Sequence, residues 1–306
     1  MKLAVEFPSV AVREGPAMVM RMAKGIEEIG FDQLDVFDHV VMGYDVEGRA
    51  KSPYPAKMPI LEALMMLSYA AAVTERIGLG TEVLVLPQRQ PVLVAKQFAT
   101  LDTLSGGRAR LGVGVGWQAS EYEALGERFE ERGRHMDEAI ALVRACWADE
   151  RIDFDGAHYR AVAMGMEPKP PQGASLPIWI GGNSPAAFRR VGRLGDGWLA
   201  SQVTDADYAA RAMDAIREAA VAAGRDPAIL GWQSMIAPPP RPGDDAGKAF
   251  YQENDRVAAR AVELRAMGFD GVALNATAIF KSGARGVEQM LDRLQNLHDR
   301  LRAEVG

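Results

Sequence analysis

Residues 76–117, RIGLGTEVLVLPQRQPVLVAKQFATLDTLSGGRARLGVGVGW, contain one complete strand–helix–strand unit. The apolar runs at 77–86 and 109–116 predict strands, and the amphipathic stretch at 91–104 predicts a helix between them. Neither run alternates polar and apolar residues as a strand with one solvated face does, so both faces are expected to be covered by protein. The unit therefore predicts parallel strands joined by a crossover helix.

The same rhythm extends in both directions along the 306-residue chain. Further strands are predicted at 2–7, 33–38, 176–181, 197–201, 229–237 and 271–276. Further helices are predicted at 14–29, 60–75, 131–148, 184–194, 205–223, 248–267 and 284–304. Eight strand–helix units without a break in composition predict an α/β fold of the closed (β/α)8 TIM-barrel type, taken as a single domain over 1–306. An open doubly wound sheet with a second domain is the alternative.

Two segments depart from this rhythm. Residues 43–57 form a polar, proline-bearing loop after the second strand and are interpreted as a mobile lid. Residues 149–176 form an insertion between the fourth helix and the fifth strand, with a hairpin predicted to turn at Asp155 and Gly156.

Composition excludes several classes of function. The formal charge is -6 with no basic patch, which argues against nucleic acid as a partner. The single cysteine, Cys146, excludes an intramolecular disulfide, and no apolar run is long enough for a membrane span, so a cytoplasmic protein is expected. His135, His158 and His298 are dispersed without metal-ligand spacing, so no metal site is expected.

The stretch LGVGVGW lacks the G-x-G-x-x-G spacing of a dinucleotide fingerprint, because Gly112, Gly114 and Gly116 alternate and Trp117 follows. Alternating glycines remove the side chains from one face of a strand. They would let a flat ligand or another backbone segment approach closely, although tight core packing is the simpler alternative.

Other candidate site residues lie where predicted strands end, which is the ligand-binding face of such a barrel. His39 follows Asp38 at the end of the second strand and has a side chain that can exchange protons near neutral pH. The run Gly181-Gly182-Asn183-Ser184-Pro185 predicts either a helix N-terminus that binds an anion or an ordinary capped turn. Five aromatic residues near strand ends are predicted to line an apolar substrate pocket: Phe7, Tyr44, Trp117, Trp198 and Trp232.

The chain resembles the bacterial luciferase-like monooxygenase superfamily, in particular its deazaflavin (coenzyme F-420)-dependent branch. The resemblance is carried by residues 76–117 together with the stretches EYEALGERFEERGRHMDEA and EPKPPQGASLPIWIGGNSPAAFRRVGRLGDGW. The resemblance implies a homodimeric barrel with a deazaflavin or flavin in its mouth. It implies that His39 is catalytic and that Glu82–Val83 is a cis peptide bond in a bulge of the third strand. It assigns cofactor binding to Asp38, Glu82, Val83, Gly114, Val115, Gly116, Ile180, Gly181, Gly182, Asn183 and Ser184.

The resemblance implies hydride transfer between coenzyme F-420 and a small organic substrate. Trp117 replaces an acidic residue of the relatives that oxidise sugar phosphates, which predicts a less polar substrate. The alternatives are a monooxygenase that uses FMN reduced by a separate partner and a barrel that binds a ligand without catalysis.

Overall fold

A computed structural model describes residues 1–201, 203–238 and 249–306. Its central feature is a closed barrel of parallel strands. The strands are β1 (Lys2–Glu6), β2 (Gln33–Val36), β3 (Gly78–Thr81), β4 (Leu84–Val85), β5 (Ala109–Gly114), β8 (Ile178–Gly181), β9 (Gly197–Ala200), β10 (Gly231–Met235) and β11 (Gly271–Asn275). Strands β3 and β4 together occupy the position of the third barrel strand. Pairing of β3 with β5 closes the barrel, which confirms the predicted (β/α)8 class.

Helices cover the outside of this barrel. They are α1 (Pro16–Ile29), α2 (Ala63–Ala71), α3 (Pro91–Ser105), α4 (Ala119–Ala124), α5 (Arg132–Ala148), α6 (Pro185–Leu194), α7 (Ala206–Ala222), α8 (Asn254–Ala266), α9 (Ala276–Lys281) and α10 (Val287–Val305). Proline at the first position of α3 and α6 follows a capping side chain, Gln90 or Ser184, which fixes where each helix begins. No helix in the described ranges is both long and apolar enough to cross a membrane.

The insertion contains the predicted hairpin. Strands β6 (Ile152–Asp155) and β7 (Arg160–Met164) pair antiparallel in a small separate sheet between α5 and β8. The turn at Gly156 is closed by a hydrogen bond from its N–H to the carbonyl of Tyr159. The hairpin packs outside the barrel and leaves the strand order undisturbed.

Several predicted boundaries are wrong. The helix predicted at 60–75 spans only Ala63–Ala71, and the one predicted at 248–267 begins at Asn254 within the described part, residue 248 lying outside it. The predicted strand at 77–86 is interrupted at Glu82 and Val83, whose peptide bond is cis as expected. Helices α4 and α9 were not predicted, because each is only six residues long and follows its strand too closely to show its own periodicity.

Candidate active site

A cavity of about 660 Å³ opens at the carboxyl ends of the barrel strands. Its walls include ten of the predicted site residues: Asp38, His39, Glu82, Val83, Gly114, Val115, Gly116, Trp117, Gly181 and Gly182. Gly181 and Gly182 complete one side, while Ile180, Asn183 and Ser184 are not among its lining residues. This is the position at which barrels of this class bind their ligands.

The alternating glycines form a seat for the bulge between β3 and β4. A Cβ atom on Gly114 would lie 2.4 Å from Cγ2 of Val83, and one on Gly181 would lie 2.9 Å from Cγ1 of the same side chain. On Gly112 a Cβ atom would lie 1.8 Å from the carbonyl oxygen of Thr81. The glycines therefore admit close approach of another chain segment, which was one of the two readings of the sequence. Val83, held against them, forms part of the cavity wall.

His39 is the best-placed proton carrier in this cavity. Its Nδ1–H donates to Oε2 of Glu121 at 3.0 Å, and Nε2 has no hydrogen-bond partner among the residues that the structure describes. The ring packs edge-on against Trp117, at 5.4 Å between centroids, and against Tyr54. A carboxylate on Nδ1 fixes the tautomer that leaves Nε2 able to accept a proton.

Glu121, on α4, was missed by sequence reasoning. Besides His39, its carboxylate accepts the backbone N–H groups of Val40 (2.7 Å) and Val41 (3.2 Å). Burial by itself would raise the pKa of Glu121, but these donors and the His39 contact outweigh burial and lower the pKa. His39 and Glu121 are separated by 82 positions in the sequence, so no local sequence pattern could predict their contact.

Glu6, the last residue of β1, is a second missed group. It lines the cavity and is only 5% exposed. Burial, followed by the nearby Asp35 carboxylate, raises the pKa of Glu6 to about 8. The side chain therefore holds a proton at neutral pH inside the cavity.

Polar side chains near Glu6 form a hydrogen-bonded network in the interior of the barrel. Asp35 accepts from Arg110 Nη2 at 2.5 Å, and Gln233 bridges Arg110 Nη1 (3.0 Å) and Glu82 Oε2 (2.8 Å). Burial and the charge of Asp35 raise the pKa of Glu82 well above its ordinary value, although Arg110 opposes this. One guanidinium among three buried carboxyl groups can neutralise only one of them, so Glu6 and Glu82 keep their protons.

Asp38, a predicted cofactor contact, lines the cavity and also has a structural role. Its carboxylate is bound by Arg89 Nη2 at 2.8 Å and by the backbone N–H of Val85 at 3.1 Å. Both acceptor oxygens are therefore engaged in tying the end of β2 to the segment after the bulge.

Of the five aromatic residues predicted to line the substrate pocket, Trp117 lines this cavity and the other four are not among its lining residues. Phe7 follows the inward-facing Glu6 and is buried outside the cavity, because neighbouring residues of an extended strand face opposite sides. Trp198 lies behind Leu199 for the same reason and donates from Nε1 to the Gly182 carbonyl at 2.9 Å. Trp232 stands at the start of β10, far from its carboxyl end, and Tyr44 is 61% exposed on its loop. Tyr54, in the same loop, lines the cavity instead.

The loop after β8 has the geometry of a capped helix start. Ser184 Oγ accepts the N–H of Ala187 at 3.2 Å, and Gly182 has a φ of +126°, a backbone conformation that favours glycine. Asn183 donates to Ser201 Oγ at 3.0 Å, while its own buried Oδ1 has no partner in the described part of the chain. The loop is thus capped as one reading predicted, and it keeps one unpaired polar atom close to the cavity.

The histidines interpreted as dispersed are not all apart. The rings of His135 and His158 lie 4.1 Å apart between centroids, outside the cavity and next to Glu131. His298 is separate and hydrogen-bonds the carbonyl of Gly30. Sequence distance concealed the first pair, because the insertion folds back onto α5.

Comparison with known proteins identifies a matching family and similar sequences. A family model described as luciferase-like monooxygenase matches residues 4–249. A protein of Nocardia farcinica named F-420-dependent glucose-6-phosphate dehydrogenase is 35% identical over 229 residues, which cover 73% of this chain and 65% of the relative. The chain thus spans slightly less than two thirds of the length of that relative.

Solved structures show the same fold. An F-420-dependent secondary alcohol dehydrogenase, solved with an F-420–acetone adduct, superposes with a TM-score of 0.78 at 17% identity, covering 98% of this chain and 99% of its own. The monooxygenase RslO1 of Streptomyces bottropensis superposes over the whole of both chains with a TM-score of 0.76 at 22% identity.

Proposed function

The chain belongs to the luciferase-like monooxygenase family, and from that premise we propose that it is a coenzyme F-420-dependent oxidoreductase acting on a small, largely apolar organic substrate. The observation that carries the proposal is the wall formed by Val83 on Gly114 and Gly181, with the His39–Glu121 pair in the same cavity. The relatives named as F-420-dependent support the choice of cofactor.

The residues present fit a deazaflavin. The glycine-backed wall leaves a cavity of about 660 Å³, within the usual range for cofactor sites. Val83, Gly114, Val115 and Gly116 would hold the ring system, and the loop from Gly181 to Ser184 would meet the anionic end of the cofactor near the start of α6. The unpaired Oδ1 of Asn183 offers an acceptor at that loop.

When bound, coenzyme F-420 accepts or supplies a hydride, and the protein provides placement and proton handling. His39 exchanges a proton through Nε2, while Glu121 holds the ring and stabilises the imidazolium form. Glu6 supplies a second proton inside the cavity, and Trp117 and Tyr54 exclude water beside His39.

The lining also bears on the substrate. The described lining residues include no lysine or arginine, whereas Glu6, Asp38 and Glu82 contribute three acidic groups. A phosphate dianion would find no lysine or arginine side chain among these described lining residues. This supports a substrate other than the sugar phosphate named for the Nocardia farcinica relative.

Binding of the cofactor tests the proposal first. Purified protein is titrated with coenzyme F-420 and, separately, with FMN, and bound cofactor is followed by fluorescence. We expect tight binding of F-420 and weak binding of FMN. Gly181→Ala, which pushes Val83 off its seat, should weaken F-420 binding about tenfold or more, since poor fit of a rigid ligand is costly. Gly165→Ala is the matched control, because Gly165 is exposed and a Cβ there meets nothing closer than 4.0 Å.

Either alternative would be visible in the same titration. Preference for FMN would point to a monooxygenase supplied by a separate reductase, and oxygen uptake would then be measured. If neither cofactor bound, the cofactor assignment would be wrong and a non-catalytic ligand-binding barrel would be favoured. After F-420 binding, an anaerobic screen of alcohols, aldehydes and ketones would identify the substrate.

We further propose that the protein is a homodimer, as its resemblance to the family implies, and that it is cytoplasmic, as expected from its composition. Sedimentation velocity over a range of concentrations tests the assembly, and a monomer mass at every concentration would contradict it.

A further inference from the structure

A second cluster of chemically active side chains lies where the insertion meets α5. Glu131 precedes α5 and His135 stands one turn later on the same face, while His158 belongs to the turn between β6 and β7. One ligand atom from each residue lies within 4.8 Å of those of the other two. None of the three lines the cavity at the barrel mouth.

The spacing of these atoms suits a tetrahedral ion. His135 Nε2 lies 3.4 Å from Glu131 Oε2. Two ligands bound to one zinc ion at about 2.0–2.1 Å with tetrahedral angles are about 3.4 Å apart, so this edge is already at its final length. His158 has to move only slightly, since its side chain is exposed and its ring is 4.1 Å from that of His135.

Neighbouring residues position these three side chains while leaving the atoms that would bind a metal available. Glu138 accepts the backbone N–H groups of His158 (2.9 Å) and Tyr159 (2.7 Å), which fixes the hairpin turn over α5. Arg128 pairs with Oε1 of Glu131 and leaves Oε2 facing His135. Glu127 lies 3.8 Å from Nδ1 of His135, where it can orient the ring as carboxylates do for metal-bound imidazoles.

The contacts of His135 with Glu127 (3.8 Å) and Glu131 (3.4 Å) are long ion-pair contacts rather than hydrogen bonds. The His135 side chain is 13% exposed, and neither its ring nor that of His158 makes a hydrogen bond to any residue in ranges 1–201, 203–238 and 249–306. A largely buried imidazole ordinarily has a hydrogen-bond partner. Coordination of a cation would satisfy both rings.

We propose that Glu131, His135 and His158 bind a divalent first-row transition metal, with Zn²⁺ as the expected ion. Two imidazoles and one carboxylate are a common zinc donor set, and a fourth position remains for water. The ion would fasten the insertion hairpin to the start of α5. Because the cluster lies outside the cavity, binding of the ion is independent of the proposed oxidoreductase activity.

Cobalt titration tests this site directly. Protein without an affinity tag, treated with a chelator and dialysed, is titrated with Co²⁺ and followed by visible absorption. We expect tetrahedral cobalt bands that saturate at one ion per chain and disappear when Zn²⁺ is added. Zn²⁺ should also raise the Tm, because it binds the folded chain.

Two variants locate the site. His158→Gln changes an exposed side chain and should fold normally, yet it should weaken metal binding at least about tenfold and abolish the Tm shift. Glu130→Gln removes a neighbouring exposed carboxylate outside the cluster and should leave both unchanged. Absence of saturable binding to the unaltered chain, or equal affinity and spectra in His158→Gln, would overturn the proposal. Neither result would bear on binding of coenzyme F-420.

Discussion

The two ends of the barrel enclose cavities of similar size, about 660 Å³ at the carboxyl mouth and about 590 Å³ at the amino end, but Asp35 and Asp32 near the amino end are paired with arginines whereas Glu6 at the mouth is not. At the amino end Arg110 binds Asp35, Arg108 donates to the carbonyl of Ile77 at 2.7 Å, and Asp32 accepts from Arg302 at 2.6 Å. At the mouth, Glu6 has no cation beside it and keeps a proton instead.

This difference separates stabilising groups from reactive ones. A paired charge at the amino end lowers the free energy of the folded state and has little reactivity left. A protonated acid or a half-paired imidazole at the mouth stabilises little but can exchange protons with a ligand. Cavity volume alone would not have distinguished the two ends.

The largest expected effect is on turnover at the mouth. His39→Ala removes the proton carrier, and we expect the rate with the substrate found by the screen to fall about 10²–10⁴-fold while F-420 binding is retained. Tyr44→Ala is the control, because that exposed ring does not line the cavity. Full turnover in His39→Ala would remove the catalytic role and weaken the contrast between the ends.

The next largest effect is expected on the free energy of unfolding, when an ion pair near the amino end of the barrel is broken. Arg110→Met leaves Asp35, which is fully buried, without its cation, and should lower the free energy of unfolding by about 3–5 kcal/mol in a urea titration. Arg217→Met, which removes a cation 5.1 Å from the Trp232 ring, should cost less than about 1 kcal/mol. Equal losses in the two variants would mean that the buried pair is not special.

Glu6 should make stability depend on pH. The folded chain binds a proton at Glu6 up to a pKa of about 8, whereas the unfolded chain releases it near pH 4.5. The folded state thus binds more protons between these values, so stability should fall as the pH rises from about 4.5 to about 8. Glu6→Gln should remove the contribution of Glu6 to this slope, about a few kcal/mol over the window, while buried Glu82, whose pKa is also raised, keeps its own contribution.

Unfolding of both proteins at several pH values measures this slope. Glu130→Gln, at an exposed site, should keep the slope of the unaltered chain. A Glu6→Gln variant with an unchanged profile would show that Glu6 is ionised in the folded state, like the paired carboxylates of the amino end.

The smallest effect is expected at the glycine seat. Gly114→Ala places a methyl group 2.4 Å from Val83 Cγ2, and the side chain can shift at a cost of about 1–3 kcal/mol in unfolding free energy. Gly165→Ala should change stability by less than about 0.5 kcal/mol. Should the two variants be equally stable, Val83 would not be held by the glycines.

The barrel itself could be predicted from the sequence, because its information is local. Apolar runs alternating with amphipathic stretches specify strands and helices, and parallel strands with both faces covered close in few ways. The D-H pair at Asp38 and His39, the bulge at Glu82 and Val83, and the glycines of β5 are likewise contiguous patterns. They lie on the cavity wall because strand ends converge in this fold.

Contacts between residues that are distant in sequence could be found only in the folded structure, because no local periodicity links such residues. Glu121 meets His39 because the unpredicted α4 folds over the end of β2, and His158 meets His135 because the insertion turns back onto α5. The sequence also did not show which side chains of each strand point into the cavity. Only the closed barrel shows that Glu6 points into it and that Phe7 and Trp198 point away from it. Local patterns fix which element a residue joins, but side-chain direction and long-range partners depend on how those elements pack.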